Sequence, residues 1–173
     1  MLRFILTCFA ISGIFTLDIY LPGIPGQIKS LNVSSTAISW TFTIFSITFA
    51  ISQLIVRPLS DKYGRKPILI IGLFLATIST FLCGLADGFG ELIAFRILQA
   101  VGASCFVVMH AIIRDLHDGP IATRLRGYLT MIAGVTISVA PSLGSFLVYI
   151  SGWRGTFILS SAVFLLNLKI LLL

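Results

Sequence analysis

Charge is scarce in this sequence. Of its 173 residues, 12 are Lys or Arg and 6 are Asp or Glu, too few polar side chains to cover a soluble domain of that length. Strand-like alternation of polar and apolar residues is missing, which argues against a membrane barrel. Low-complexity tracts are missing too, and residues 1–86 and 91–172 show no similarity that would establish a three-plus-three repeat. Cysteine is limited to Cys8, Cys83 and Cys105. All three lie inside apolar runs without paired Cys/His spacing, so packing accounts for them and neither a metal nor a disulfide is indicated. The basic residues form no continuous stripe and no aromatic platform accompanies them. The net charge of +6 therefore points to anionic lipid headgroups, not nucleic acid.

What remains is apolar: 57% of residues are hydrophobic and the mean hydropathy is +1.07. The apolar residues gather in runs near 4–22, 39–57, 68–86, 92–113, 128–150 and 156–172. Each is about the 20 residues a helix needs to cross the hydrocarbon of a bilayer. Breaks with stop chemistry separate them: LPGIPG, RPLSDKYGRKP, ADGFGE, RDLHDGP and SGWRG. The N-terminal MLRFILTCFAISGIF has the form of a signal peptide, with Arg3 before an apolar stretch. No small-x-small cleavage site precedes Asp18 and the run continues to Leu21, so it reads as a retained first span. The expectation is one all-α domain over residues 1–173 with six transmembrane helices.

The breaks differ in charge. Joint 57–67 holds Arg57, Lys62, Arg65 and Lys66, and joint 114–126 holds Arg114, Arg124 and Arg126. The alternate joints hold Lys29 alone, then Asp87 and Glu91, then Arg154. Because basic loops stay in the cytoplasm, this asymmetry predicts that both termini lie there as well.

Ionisable groups at membrane depth need a reason. Asp18 stands four residues before Pro22, about 6 Å below the outer end of the first run. Arg96 stands five residues after Glu91, about 7.5 Å below the outer end of the fourth. Their similar depth suits an ion pair or a shared watery cavity, and also suits two interfacial side chains that snorkel to water. In the fourth run Arg96, Gln99, Ala103 and His110 fall within about 60° of helical arc. The second run repeats the pattern with Thr43, Ser46, Ala50, Gln53 and Arg57. Such stripes face protein or an aqueous path. Interhelical hydrogen bonding explains their Ser and Thr members well, and Arg96 and His110 less well. In the fifth run Gly134, Ser138 and Ser142 make a small-residue ridge suited to close helix packing. Pro141 removes the hydrogen bond to the Ile137 carbonyl, which predicts a kink or hinge there.

Several of these features together resemble one family. RPLSDKYGRKP is similar to the loop between the second and third helices of the major facilitator superfamily. That loop reads approximately Gly-x-Leu-(Ser/Ala)-Asp-x-x-Gly-Arg-(Arg/Lys), and Leu59, Ser60, Asp61, Gly64, Arg65 and Lys66 match it. FRILQAVGAS resembles the fourth-helix motif through Arg96, Gln99 and Gly102. LDIYLPGIP, AIIRDL and VAPSLGS narrow the resemblance to the drug/proton antiporters, the branch of bicyclomycin-resistance and multidrug efflux proteins. The resemblance covers essentially the whole chain.

The resemblance implies one six-helix half of a major-facilitator-type bundle in the bacterial inner membrane, exporting small drug-like molecules in exchange for protons. Its energy source is the proton gradient, with no other cofactor. It makes Asp18, Arg96, Gln99 and His110 candidates for substrate recognition and proton coupling. Arg57, Asp61, Gly64, Arg65 and Lys66 become a cytoplasmic gate latch, in which Gly64 allows a tight turn and the bases pair Asp61 or cap helix C-termini. Three positions depart from the family pattern: Arg57 replaces the first loop glycine, His110 stands where close relatives usually have arginine, and Ser145 replaces a glycine after Pro141. Transporters of this superfamily have two such halves, so a separately encoded second half, or a second copy of the chain, is the expected partner beside the lipid bilayer. The competing expectation is a non-transporting remnant or a structural subunit of a split transporter. DLHDGPIATR also resembles the CDP-alcohol phosphotransferase motif through Asp115, Asp118, Gly119 and Ala122. Its arginine comes one residue late, at Arg124, and the later metal-binding aspartates are missing. Too few hard ligands remain for divalent metals, and an enzyme is not expected.

Overall fold

The computed structural model describes residues 2–116 and 119–172, without the side chains of 2–6, 10, 14, 17, 110, 114, 116 and 120–122. The His110 side chain and Asp118, both singled out above, lie outside the described residues. Every element among those residues is helical. Helix α1 (Leu2–Asp18) is followed by a 3-10 turn (Leu21–Gly23) and a short α2 (Ile24–Leu31). Pro22 and Pro25 occupy first-turn positions of these two elements, where a missing N–H costs nothing. Asn32 closes α2 in the left-handed conformation at φ 51°. Helix α3 (Ser35–Tyr63) starts at Ser34, whose Oγ accepts the Ala37 N–H at 3.2 Å, satisfying one orphan donor of the first turn.

Gly64 separates α3 from α4 (Arg65–Leu85). Helix α5 (Phe89–Ala103) runs through a 3-10 turn (Ser104–Phe106) into α6 (Val107–Leu116). Helix α7 (Gly119–Leu172) is broken at Gly152, with φ 68° and ψ −176°, a conformation essentially reserved for glycine. The break falls between the apolar runs 128–150 and 156–172. The backbone keeps helical dihedral angles across Pro141, and the one non-helical residue inside α7 is Gly152. A helix tolerates one missing N–H donor. Reversing its direction needs a backbone conformation that proline's fixed φ excludes.

Four helical stretches are long and apolar enough to cross a membrane: Ser35–Tyr63, Arg65–Leu85, Phe89–Ile113 and Thr123–Leu172. The last, if straight, would measure about 75 Å against a hydrocarbon thickness of about 30 Å; the Gly152 break resolves that mismatch. Helix α1 has 17 residues and is not among the four.

Helix α4 lies against α5 and α7, and α1 lies along α7. The larger core cluster joins Phe9, Leu73, Ala76, Cys105, Val108 and Phe164, and a second joins Tyr20, Cys83, Leu92, Trp153 and Phe157. At the α4–α5 crossing Gly102 meets Ala76 so closely that a Cβ would overlap the Ala76 backbone. Gly144 of α7 approaches the Ile19 carbonyl in the same way. A polar bond also ties α1 to α7: Asn167 Nδ2 donates to Ser12 Oγ at 2.6 Å, and both residues are buried. The outer face of α4 exposes Ile71, Phe74, Ile78, Phe81 and Leu85, spaced three and four apart so that they form one apolar stripe. In water such a stripe would be an aggregation hazard. Lipid satisfies it.

Candidate functional site

The most deeply buried charge among the described residues is Arg96 on α5, only 1% exposed. Its Nη1 donates to Gln99 Oε1 at 3.0 Å, and Gln99 Nε2 donates to Thr80 Oγ1 on α4 at 2.8 Å. The i, i+3 spacing of Arg96 and Gln99 puts the amide beside the guanidinium on one helix face. The guanidinium carbon lies 3.8 Å from the centre of the Tyr20 ring, 4.8 Å from Phe157 and 5.7 Å from Phe45. Aromatic faces stabilise a desolvated cation by about 2 kcal/mol or more, so three rings from three further segments take part of water's place. They do not replace all of it. Nε and Nη2 have no hydrogen-bond partner among the described residues, nor does the Tyr20 hydroxyl.

Arg96 and Gln99 line a small cavity with Gly13, Thr16, Phe45, Phe49, Ala103 and Phe164. Its volume is about 10 Å³, roughly the space of one water. Asp18 ends α1 and is partly exposed. Among the described residues no ion pair joins it to Arg96; the ring of Tyr20 lies over the guanidinium. Of the fourth-run stripe, Arg96, Gln99 and Ala103 are buried together. Sequence reasoning missed Thr80, Tyr20, Phe45 and Phe157. Tyr20 belongs to LDIYLPGIP and Thr80 is a polar residue in an apolar run, yet neither signal names Arg96 as its contact.

The charged joint forms a second cluster. Helix α3 continues through Pro58 to Tyr63, and Gly64 turns the chain at φ 97° directly into α4. Arg65, the first residue of α4, forms an ion pair with Asp61, donates from Nη1 to Ser60 Oγ at 2.6 Å, and donates from Nε to Asp115 Oδ2 on α6 at 3.0 Å. Ser60 Oγ in turn donates to the Arg57 carbonyl at 2.7 Å. Arg57 and Lys66 are exposed. The Arg65–Asp115 bond brings the two basic joints to one end of the bundle. At another pair of joints Arg154 Nη2 donates to the Ala86 carbonyl at 3.0 Å and to Asp87 Oδ1 at 2.8 Å. Asp115 as a third partner of Arg65 was not anticipated; its sequence signal is an acid that stands, with Asp118, inside a basic joint.

Two predicted stripes find no cover among the described residues. On α3 Thr43, Ser46, Ala50 and Arg57 are exposed and Gln53 is partly exposed. On α7 Gly134, Ser138 and Ser142 are exposed, with Ser138 Oγ donating to the Gly134 carbonyl at 3.1 Å. The ridge therefore packs against no other helix among the described residues. Pro141 beside it is partly exposed.

Comparison with known proteins agrees with this architecture. A family model described as Major Facilitator Superfamily matches residues 4–173. An uncharacterized MFS-type transporter, YdgK of Bacillus subtilis, is 36% identical over 144 residues, covering 83% of this chain and 36% of that protein. Multidrug resistance protein MdtL of Escherichia coli is 32% identical over 178 residues, 99% of this chain and 46% of its own length. MdtL of Vibrio parahaemolyticus is 30% identical over 160 residues, with 91% and 40% covered. The chain thus spans less than half the length of these curated relatives. With a family match over nearly every residue, on a helical scaffold whose outer faces suit lipid, the chain belongs to the major facilitator superfamily.

Proposed function

We propose that the chain is one six-helix half of a drug/proton antiporter, multi-pass in the bacterial inner membrane with both termini in the cytoplasm. It exports small drug-like molecules in exchange for protons, and the proton gradient drives the exchange. The observation that carries this reading is the 32% identity to a multidrug resistance protein across 99% of the chain. The geometry supports it. Arg96, bonded to Gln99, holds a charge at membrane depth beside a cavity, where substrate or proton binding changes its electrostatics most. Asp18, two residues before Tyr20 of the aromatic cluster, and His110 complete the recognition and coupling set.

In this reading Asp61, Gly64, Arg65 and Lys66, with Arg57 at their head, act as a latch that stabilises one access state. Arg65 ties α3, α4 and α6 together, so releasing it frees all three at once. Gly134, Ser138, Pro141 and Ser142 form the surface and hinge that meet the partnering half. Expression of the chain in an efflux-deficient host, with drug accumulation measured with and without a protonophore, tests the proposal. Protonophore-sensitive efflux that disappears in Asp18→Asn is expected. Accumulation unchanged by the chain, together with a monomer on native gels, would defeat it.

A second reading, a non-transporting structural half, is favoured by one observation: the polar stripe of α3 and the small-residue ridge of α7 are both uncovered among the described residues. Co-expression with the other half of a relative separates the two, since only an active half restores efflux.

A further inference from the structure

We propose that the Arg96 cavity is an acceptor-selective subsite: it takes the carboxylate or strongly polar carbonyl oxygen of an aromatic molecule and disfavours aromatic cations. The inference names a substrate class for the exporter and rests on that reading for its physiological meaning.

Three observations carry it. First, Arg96 is 1% exposed, and its Nε and Nη2 lack partners among the described residues. A buried donor left bare is costly, so a ligand oxygen that accepts from it gains what a ligand without one forfeits. A guanidinium is also the side chain best shaped to hold a carboxylate. Second, the ring faces that would cage a cationic guest are already turned to the protein's own cation. Tyr20, Phe157 and Phe45 surround the guanidinium at 3.8, 4.8 and 5.7 Å, and a second cation there would meet a like charge in apolar surroundings. Third, no described carboxylate forms an ion pair with Arg96, so among the described residues an incoming anion is the partner the guanidinium lacks.

The cavity's size sets the mode of entry. About 10 Å³ admits one acceptor oxygen, about the size of a water, and no whole molecule. Gly13 and Phe49 are the partly exposed members of the lining, so the apolar body of the ligand rests there. Phe49 is stacked on Phe45 at 5.8 Å, which extends an aromatic surface from the cavity mouth towards the guanidinium.

The experiment uses the whole chain, purified in a neutral non-ionic detergent, with Trp40→Phe leaving Trp153 as the sole tryptophan. Trp153 reports on the site because its ring lies 6.0 Å from that of Phe157. Benzoate and benzyltrimethylammonium are titrated while Trp153 emission is followed. Benzoate is expected to bind saturably and at least about tenfold more tightly than the cation, and Arg96→Gln to abolish that preference. Arg96→Lys, which keeps the charge but loses the fork, should retain only part of it. Equal affinity for the two probes, or an intact preference in Arg96→Gln, overturns the inference. Sodium chloride titrated against bound benzoate separates the sources of the acceptor: displacement at chloride concentrations similar to those of benzoate makes this a simple anion site and overturns the aromatic substrate class. Circular dichroism checks that Arg96→Gln retains its helices. If it does not, the comparison of the two probes on the unsubstituted site decides alone. Equal affinity of the unsubstituted chain for the two probes with efflux intact removes this inference and leaves the export reading standing; absent efflux with the preference intact does the reverse.

Discussion

At Gly102 one hydrogen atom decides how closely two helices approach. A Cβ at this position would overlap the backbone of Ala76, so Gly102→Ala must push α5 away from α4 and loosen the core around Cys105. The expected loss is about 1–3 kcal/mol, the usual cost of overpacking a core. Unfolding in mixed detergent micelles, followed by circular dichroism, measures it. Gly127 is the control: a Cβ there meets nothing within 4 Å, and Gly127→Ala should gain up to about 1 kcal/mol from helix propensity. Equal effects of the two substitutions would show that close approach at Gly102 contributes nothing. Gly102 stood out in the sequence as part of FRILQAVGAS, as did Arg96 and Gln99. Their partners did not. Ala76, Thr80, Tyr20 and Phe157 lie on other segments, and helical spacing reports which residues share a face without saying what that face meets.

Elements were legible where apolar length and breakers coincide. Gly64 and Gly152 both stand in quoted breaks, and both adopt positive φ in the structure. Pro141 is an expected kink or hinge, and α7 keeps helical dihedral angles across it. The two residues can be compared directly. Gly152→Ala forces a Cβ into a conformation open essentially to glycine alone, at a cost of about 1–3 kcal/mol. Pro141→Ala restores the donor to the Ile137 carbonyl and should leave stability equal or higher by up to about 3 kcal/mol. Thermal unfolding of both variants in detergent checks the order; a larger loss from Pro141→Ala than from Gly152→Ala would assign the bend to the wrong residue. The fourth run was read as a single helix, whereas the chain tightens into a 3-10 turn at Ser104–Phe106 before α6. Uniformly apolar residues carry no mark of such a change, because i+3 and i+4 bonding leave the same hydrophobic pattern.

For the whole molecule, charge asymmetry predicts orientation, and contacts supply the geometry behind it. Arg65 and Asp115 join the two basic joints, while Arg154 and Asp87 join two others. If the basic end faces the cytoplasm, Lys62→Cys in a background lacking Cys8, Cys83 and Cys105 should react with an impermeant maleimide only from the cytoplasmic side. Lys29→Cys should react only from outside. Labelling with the opposite sidedness would reverse the proposed topology. Membrane residence follows from amounts and run lengths alone, because nothing polar enough exists to solvate this surface. Family membership was likewise legible, since its motifs are short contiguous strings. The aromatic enclosure of Arg96, the third partner of Arg65, and the exposure of the α3 and α7 stripes arise when distant segments are brought together. Those contacts depend on how long helices cross, and helix crossing is set by side-chain packing in three dimensions, which a linear pattern does not encode.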